Sequence, residues 1–281
     1  PHFSAKNLSI LRKNKKIAQK KNLKVFINLG HFFSINKIKM KNLVFYKTDF
    51  NIYFNDFFFF KDLLETAPNE NKILFKSSNI FFKNQDDEVL FINKIKNSQF
   101  YYDSNNLQNV LIMKSEVFKI PFKLTIKNDK FYKKFFIKFN SKKIRLNIEN
   151  ETNYEDKTKT GLLDILFINK NTSLNYNIDQ KSLNFISEDN PSTYKGTFDF
   201  KPFHFSTYLN YDGISIKNLF DNKSIFIDLF ESEVLLNKNL SANLDLNVKD
   251  ITNINELNNL NLKMMIEEGD IKFSDSFIMW K

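Results

Sequence analysis

A chain of 281 residues with a net charge of +10 and no cysteine can bury a sizeable core, but it can form neither a disulfide nor a thiolate metal site. Lys, Asn, Ile and Phe are all inflated and Arg is scarce, so the basic excess lacks the guanidinium forks that phosphate and guanine recognition prefer. It reads as the imprint of an AT-rich genome rather than as a polyanion site, and no run reaches the roughly 18 apolar residues that a membrane helix needs.

The chain starts at Pro1 and stops just after an apolar strand pattern, and it reads as a piece of a longer protein. Lys6, Arg12, Lys13, Lys15, Lys16, Lys20, Lys21 and Lys24 load the first segment with charge. A solvated surface strand is favoured there over a patch leaning on anionic lipid. Strand candidates follow at Leu23 to Leu29, Phe32 to Lys39 and Leu43 to Phe54, and a short helix or loop at Asp62 to Asn71 is punctuated by Pro68. The pentapeptide INKIK occurs at Ile35 to Lys39 and again at Ile92 to Lys96, each time leading into aromatic residues. The two copies read as rungs of a repeating sheet.

The clearest pattern is FKIPFKLTIK, from Phe118 to Lys127. Phe118, Ile120, Phe122, Leu124 and Ile126 fall on one side of an extended chain, with Lys119, Pro121, Lys123, Thr125 and Lys127 on the other. A helix would scatter these residues round its cylinder, so a strand is predicted. Phe131 to Phe139 repeats the pattern, a polar turn is predicted at Asn140 to Lys143, and Ile144, Leu146 and Ile148 then alternate with polar neighbours. Three such segments joined by short turns make an antiparallel meander. Residues 151–160 are charged and lack large aliphatics, which divides the chain into 1–150, a loop, and 161–281.

In the second part Leu174, Tyr176 and Ile178 alternate, as do Phe198 and Phe200 before Pro202; that proline, like Pro121, marks an edge, a bulge or a strand end. Leu240, Ala242, Leu244, Leu246 and Val248 give another clean face. Asp250 is placed to cap a helical turn through Ile254 and Leu257, and Glu268-Gly269-Asp270 is a hairpin turn. The predicted class is mainly β: an elongated, curled antiparallel sheet open as a groove, with at most short helices. A closed sandwich is the alternative, because alternation shows one buried face and not what buries it.

Catalytic patterns are missing. His2, His31 and His204 lie far apart without ligand spacing, Asp86, Asp87 and Glu88 read as a solvated turn, as do Glu267 and Glu268, and there is no P-loop, GxGxxG, nucleophile elbow or HExxH. The expectation is a non-enzyme with no cofactor and no metal. Nucleic-acid binding ranks last, since the aromatics share faces with Leu and Ile rather than with Lys.

Three segments carry a resemblance. The run SEVFKIPFKLTIKNDKFYKKFFIKFNSKKIRLNIENET, the element YKGTFDFKPFHF from Tyr194 to Phe205, and the terminal LNNLNLKMMIEEGDIKFSDSFIMWK resemble AsmA-like and TamB-like proteins of the Gram-negative envelope, over roughly residues 33–281. The amino-terminal membrane helix typical of that family is not in this chain. The resemblance implies a periplasmic β-groove, anchored to the inner membrane through such a helix, that carries phospholipid towards the outer membrane with the help of an outer-membrane partner protein. The groove-lining residues would be Phe118, Ile120, Phe122, Leu124, Ile126, Ile144, Leu146, Ile148, Leu240, Leu244 and Leu246. The alternative is a scaffold of envelope assembly that moves no lipid.

Overall fold

The computed structural model describes residues 2–12, 15–27, 40–53, 71–84, 86–129, 131–153, 159–167, 170–179, 181–190, 193–200, 203–215, 228 and 231–280. The predicted strand at 32–39, the first INKIK copy, the 62–70 segment and Pro202 lie outside them. The chain divides into two compact units, Pro1–Asn140 and Ser141–Lys281.

The first unit is one sheet whose strands follow chain order: β1 (His2–Arg12), β2 (Lys15–Ile27), β3 (Met40–Tyr53), β4 (Lys72–Lys83), β5 (Val89–Asp103), β6 (Gln108–Val117), β7 (Ile120–Asp129) and β8 (Lys134–Ser141). Successive strands pair antiparallel, apart from one step. β3 and β4 run parallel, Leu43 beside Ile73 and Phe50 beside Ile80. A hairpin cannot join parallel neighbours, and the connection 54–71 is long enough to bring the chain back to the starting end. Among the described residues each strand lies beside its hydrogen-bonded neighbours in one continuous sheet. The mainly β, antiparallel expectation holds, and the sandwich alternative does not form in this unit.

The hairpins show how a chain so poor in glycine turns. Phe118 and Lys119 both take positive φ, at 50° and 61°, in a two-residue turn between Val117 and Ile120. That primed turn matches the twist of the flanking strands. The predicted ten-residue strand is therefore cut at its start: Phe118 belongs to the turn, and its alternation with Ile120 is a coincidence of spacing. Pro121 pairs with Glu116 on one side, and β8 begins pairing only at Lys123, so the proline sits where no ladder bond is asked of its nitrogen.

The second unit holds β9 (Leu146–Asn153), β10 (Lys159–Phe167), β11 (Lys170–Ile178), β12 (Ser182–Ser187), β13 (Tyr194–Phe200), β14 (Phe203–Ser215), β15 (Ser241–Thr252), β16 (Leu257–Glu267) and β17 (Asp270–Trp280). These too pair in chain order and antiparallel, except that β14 and β15 are parallel, with 216–240 as the connection. Residues 150–153, which composition alone assigns largely to a loop, continue β9. Ile144 lies in the turn 142–145 rather than on a strand, because Arg145 at φ 48° closes that turn with its amide on the Lys142 carbonyl at 3.3 Å. The helical turn predicted after Asp250 does not form. β15 runs on to Thr252, and Leu257, whose amide bonds Ile254 O, starts β16. Ser232 N donates to Asp228 O at 3.0 Å. The Glu268-Gly269 hairpin forms as predicted. Gly269 has φ 89°, and the backbone of Leu236 passes 3.0 Å from where a Cβ would stand, so both conformation and space require glycine.

Candidate functional site: two apolar sheet faces

Cross-strand partners share a face, so the registers sort every side chain of the first unit. One face carries Leu43, Phe45, Phe50 and Ile52 of β3, and beside them Ile73, Phe75, Ile80 and Phe82 of β4. It continues through Phe91, Ile95 and Phe100 of β5 and Leu111, Met113 and Val117 of β6. Ile120, Phe122, Leu124 and Ile126 of β7 and Phe135, Ile137 and Phe139 of β8 complete it. Rings meet from strand to strand: Phe45 stacks on Phe75 at 4.9 Å between centroids, Phe82 on Phe91 at 4.3 Å and Phe122 on Phe139 at 5.1 Å. Offset aromatic pairs add about 0.5–1.5 kcal/mol each beyond the area they bury. Phe45, Phe75, Phe82, Phe122 and Phe139 remain half-buried, while Ile52, Ile95, Phe100, Met113 and Ile120 on the same face are at most 8% exposed.

The other face is mixed, with Leu74, Phe81, Ile92, Val110, Ile112 and Phe136 among lysines. Lys76, Lys94, Lys96, Lys114, Lys123, Lys127 and Lys138 are exposed on it, and Glu116 lies between Lys94 and Lys96 at 3.6 and 3.9 Å. Lys72 and Lys127 lay their stems across Tyr101 and Phe136, with ammonium to centroid distances of 5.2 and 5.9 Å.

A line of small polar residues crosses the apolar face. Thr48, Ser78 and Ser115 are at most 1% exposed, and the registers put Ser78 opposite Ile95, Ile95 opposite Ser115 and Ser115 opposite Phe122. Thr48 N donates to Ser78 Oγ at 3.2 Å, Ser78 Oγ donates to Lys76 O at 3.1 Å, and Ser115 Oγ donates to Asn93 Oδ1. At this level the backbone breaks step: Lys47 and Ser77 have φ of 50° and 48°, and β5 carries an extra residue between Ile95 and Asn97. A bulge bends the strand it interrupts, and the left-handed residues of β3 and β4 lie level with the bulge of β5, so this level marks a crease across the sheet. Small hydroxyl residues line this level on either side of Ile95, and of their hydroxyls that of Ser78 bonds backbone.

The second unit has its own apolar face. Leu146 and Ile148 of β9 lie beside Phe167 and Ile165, and Leu163 lies beside Leu174. Leu183 and Phe185 of β12 meet Phe198 and Gly196 of β13, and Phe198 and Phe200 meet Phe205 and Phe203 of β14. Leu244 and Leu246 of β15 lie between Thr207 and Leu209 on one side and Met264 and Leu262 on the other. Leu240 precedes the strand. One buried polar cluster interrupts this face: Asn150 Nδ2 donates to Tyr176 Oη at 2.6 Å and to Leu162 O at 3.0 Å, while Thr152 bonds both Asn150 Oδ1 and Tyr176 Oη. Tyr176 faces Gly161, where an added Cβ would stand 2.5 Å from its oxygen, and Phe185 faces Gly196 in the same way.

Of the eleven residues predicted to line a groove, Ile120, Phe122, Leu124 and Ile126 share the face of the first unit, and Leu146, Ile148, Leu244 and Leu246 lie on that of the second. Phe118, Ile144 and Leu240 are not on strands. Sequence reasoning missed the aromatic rows of β3 to β5. Their signal is a slip in phase, from Leu43 and Phe45 to Phe50 and Ile52, and from Ile73 and Phe75 to Ile80 and Phe82.

Among the described residues no group of His, Asp and Glu is arranged to hold a metal ion, and no helix is long and apolar enough to cross a membrane. No family model, curated protein or solved structure matches the chain.

Proposed function

We propose that the chain is a segment of an AsmA-like lipid-carrying β-groove, working in the periplasm of a membrane-anchored envelope protein. It would guide phospholipid acyl chains along its apolar faces between the inner and outer membranes. One observation carries this reading: the first unit presents a Phe, Leu and Ile face across β3 to β8, crossed by one line of small polar residues, with many of its rings half-buried. Acyl chains suit such a surface, because each methylene removed from water contributes about 0.8 kcal/mol and no hydrogen bond has to be supplied. The lysines of the opposite face keep the sheet soluble and unstacked. No step in such transport breaks a covalent bond, so the reading needs no catalytic residue.

Photocrosslinking residues placed at Phe75, Phe122 and Leu124 in cells should capture phospholipid, and one at Lys123, on the other face, should not. Capture of protein alone from the apolar positions would favour the scaffold role and end the transport reading. Phe122→Asp should abolish capture at Leu124 while the sheet still forms, since Phe122 is only half-buried.

A further inference from the structure

The two ends of the first unit's sheet differ in a way that lipid carriage along a face does not require. At one end lie the β1–β2 turn, flanked by Arg12 and Lys15, the β4–β5 turn, with Asp86, Asp87 and Glu88, and the β6–β7 turn, where Phe118 tucks against Phe91 at 6.0 Å. The opposite end carries the β5–β6 turn and the β7–β8 turn. These are neighbours, because Gln108, which starts β6, pairs with Asp129, which ends β7. Their apolar residues point outward: Leu107 is 54% exposed, Phe131 79% and Tyr132 68%.

This exposure is built into the turns. The Asp129 carboxylate accepts the amides of Phe131 and Tyr132, each at 3.0 Å, and Nε2 of Gln108 at 3.2 Å, so one side chain fixes the aromatic tip and ties it to the next hairpin. Asp103 accepts the Asn105 amide at 3.0 Å and Asn106 Nδ2 at 2.9 Å and fixes the turn that carries Leu107. The rings of Phe131 and Tyr132 stand edge to face at 5.0 Å. Lys127, Lys133 and Lys134 are exposed in and beside these turns, where Asp103 and Asp129 also accept backbone amides and feel the charges of Lys127 and Lys134. Outward aromatic rings backed by lysines match a bilayer interface, where the rings enter the headgroup layer and the lysines meet anionic phosphates.

We infer that the Leu107, Phe131 and Tyr132 tips dock this end of the sheet into the surface of an anionic phospholipid bilayer. Docking of this kind stands apart from the groove, since a bilayer can hold the tips whether or not the apolar face carries acyl chains. It gives the sheet a polarity, with the end that exposes aromatic rings towards the membrane and the end without them away from it.

The chain contains no cysteine, so an environment-sensitive NBD label can be placed on Phe131→Cys alone, and on Asp86→Cys at the far end as a control. With vesicles of phosphatidylethanolamine and phosphatidylglycerol, the label at 131 should shift to the blue and brighten, while the label at 86 stays unchanged. Vesicles of phosphatidylcholine alone should give a weaker response at 131. In sedimentation with the same anionic vesicles, the unlabelled double variant Phe131→Ser, Tyr132→Ser should bind about tenfold more weakly, with an unaltered far-UV circular dichroism spectrum. A label at 131 that stays in water, equal responses at the two ends, or undiminished binding by the double variant would overturn the inference. Crosslinking of lipid from Phe122 tests the groove separately, so the two ideas can fail independently.

Discussion

The two apolar faces keep order by different means. The first is covered with phenylalanine and creased along a line of small hydroxyl residues. The second has rings laid over Gly161 and Gly196 and one enclosed polar cluster around Tyr176. A β face has to fix its side chains against one another, and the comparison shows two solutions: small residues where strands bend, and glycine where a ring must lie flat.

Substitutions can break that contrast, and the largest effect belongs to the crease. Ile95 is 5% exposed between Ser78 and Ser115, so Ile95→Asp buries a charge without a partner and should cost more than about 3 kcal/mol, read as loss of the cooperative thermal transition. An unchanged melt would mean that the crease is open to water. Next comes Gly161→Ala. Its new methyl would stand 2.5 Å from the Tyr176 oxygen and 2.6 Å from the Glu151 carbonyl, which demands a backbone shift worth about 1–3 kcal/mol in urea denaturation. Tyr176→Phe should cost about 1–2 kcal/mol by depriving Asn150 and Thr152 of a buried partner, and Ser78→Ala, which takes the acceptor from Thr48 N, should cost a similar amount in the first unit. Equal losses would say that both faces depend on buried polar bonds; a neutral Ser78→Ala would assign the crease to steric fit alone.

The smallest effect is electrostatic. The amide of Tyr132 foremost, with the Gln108 side chain, the amide of Phe131 and the charge of Lys134, holds the Asp129 carboxyl below its ordinary 3.8 against the opposing cost of burial. A depressed carboxyl contributes stability that is present above the unfolded value and lost as pH falls through the folded one. Asp129→Asn should therefore melt slightly below the wild type at neutral pH, and the difference should begin to narrow as pH falls below about 4 and close below the depressed folded value. A gap that persisted in acid would show that packing, not charge, holds the tip.

Alternation made the strands legible wherever it ran unbroken, as along Ile120 to Ile126 and Ala242 to Val248. It misled where a turn was built without Gly or Asn. Phe118 and Lys119 turn the chain with positive φ while keeping the apolar period, so nothing in their identity announced the break, and Ile144 was absorbed into the next strand in the same way. Strand direction is invisible to periodicity, which is why the parallel steps at β3–β4 and β14–β15 went unseen. The polar cluster at Tyr176 escaped for another reason. Asn150, Thr152 and Gly161 look like loop residues until β9, β10 and β11 bring them under one ring.

The left-handed backbone at Lys47 and Ser77 has one more consequence. A bend set by local torsions does not wait for a guest to impose it, so the bare and the occupied surface would share one curvature. Molecules arriving in succession would then find an unaltered track, and each could depart without any strand having to re-form behind it.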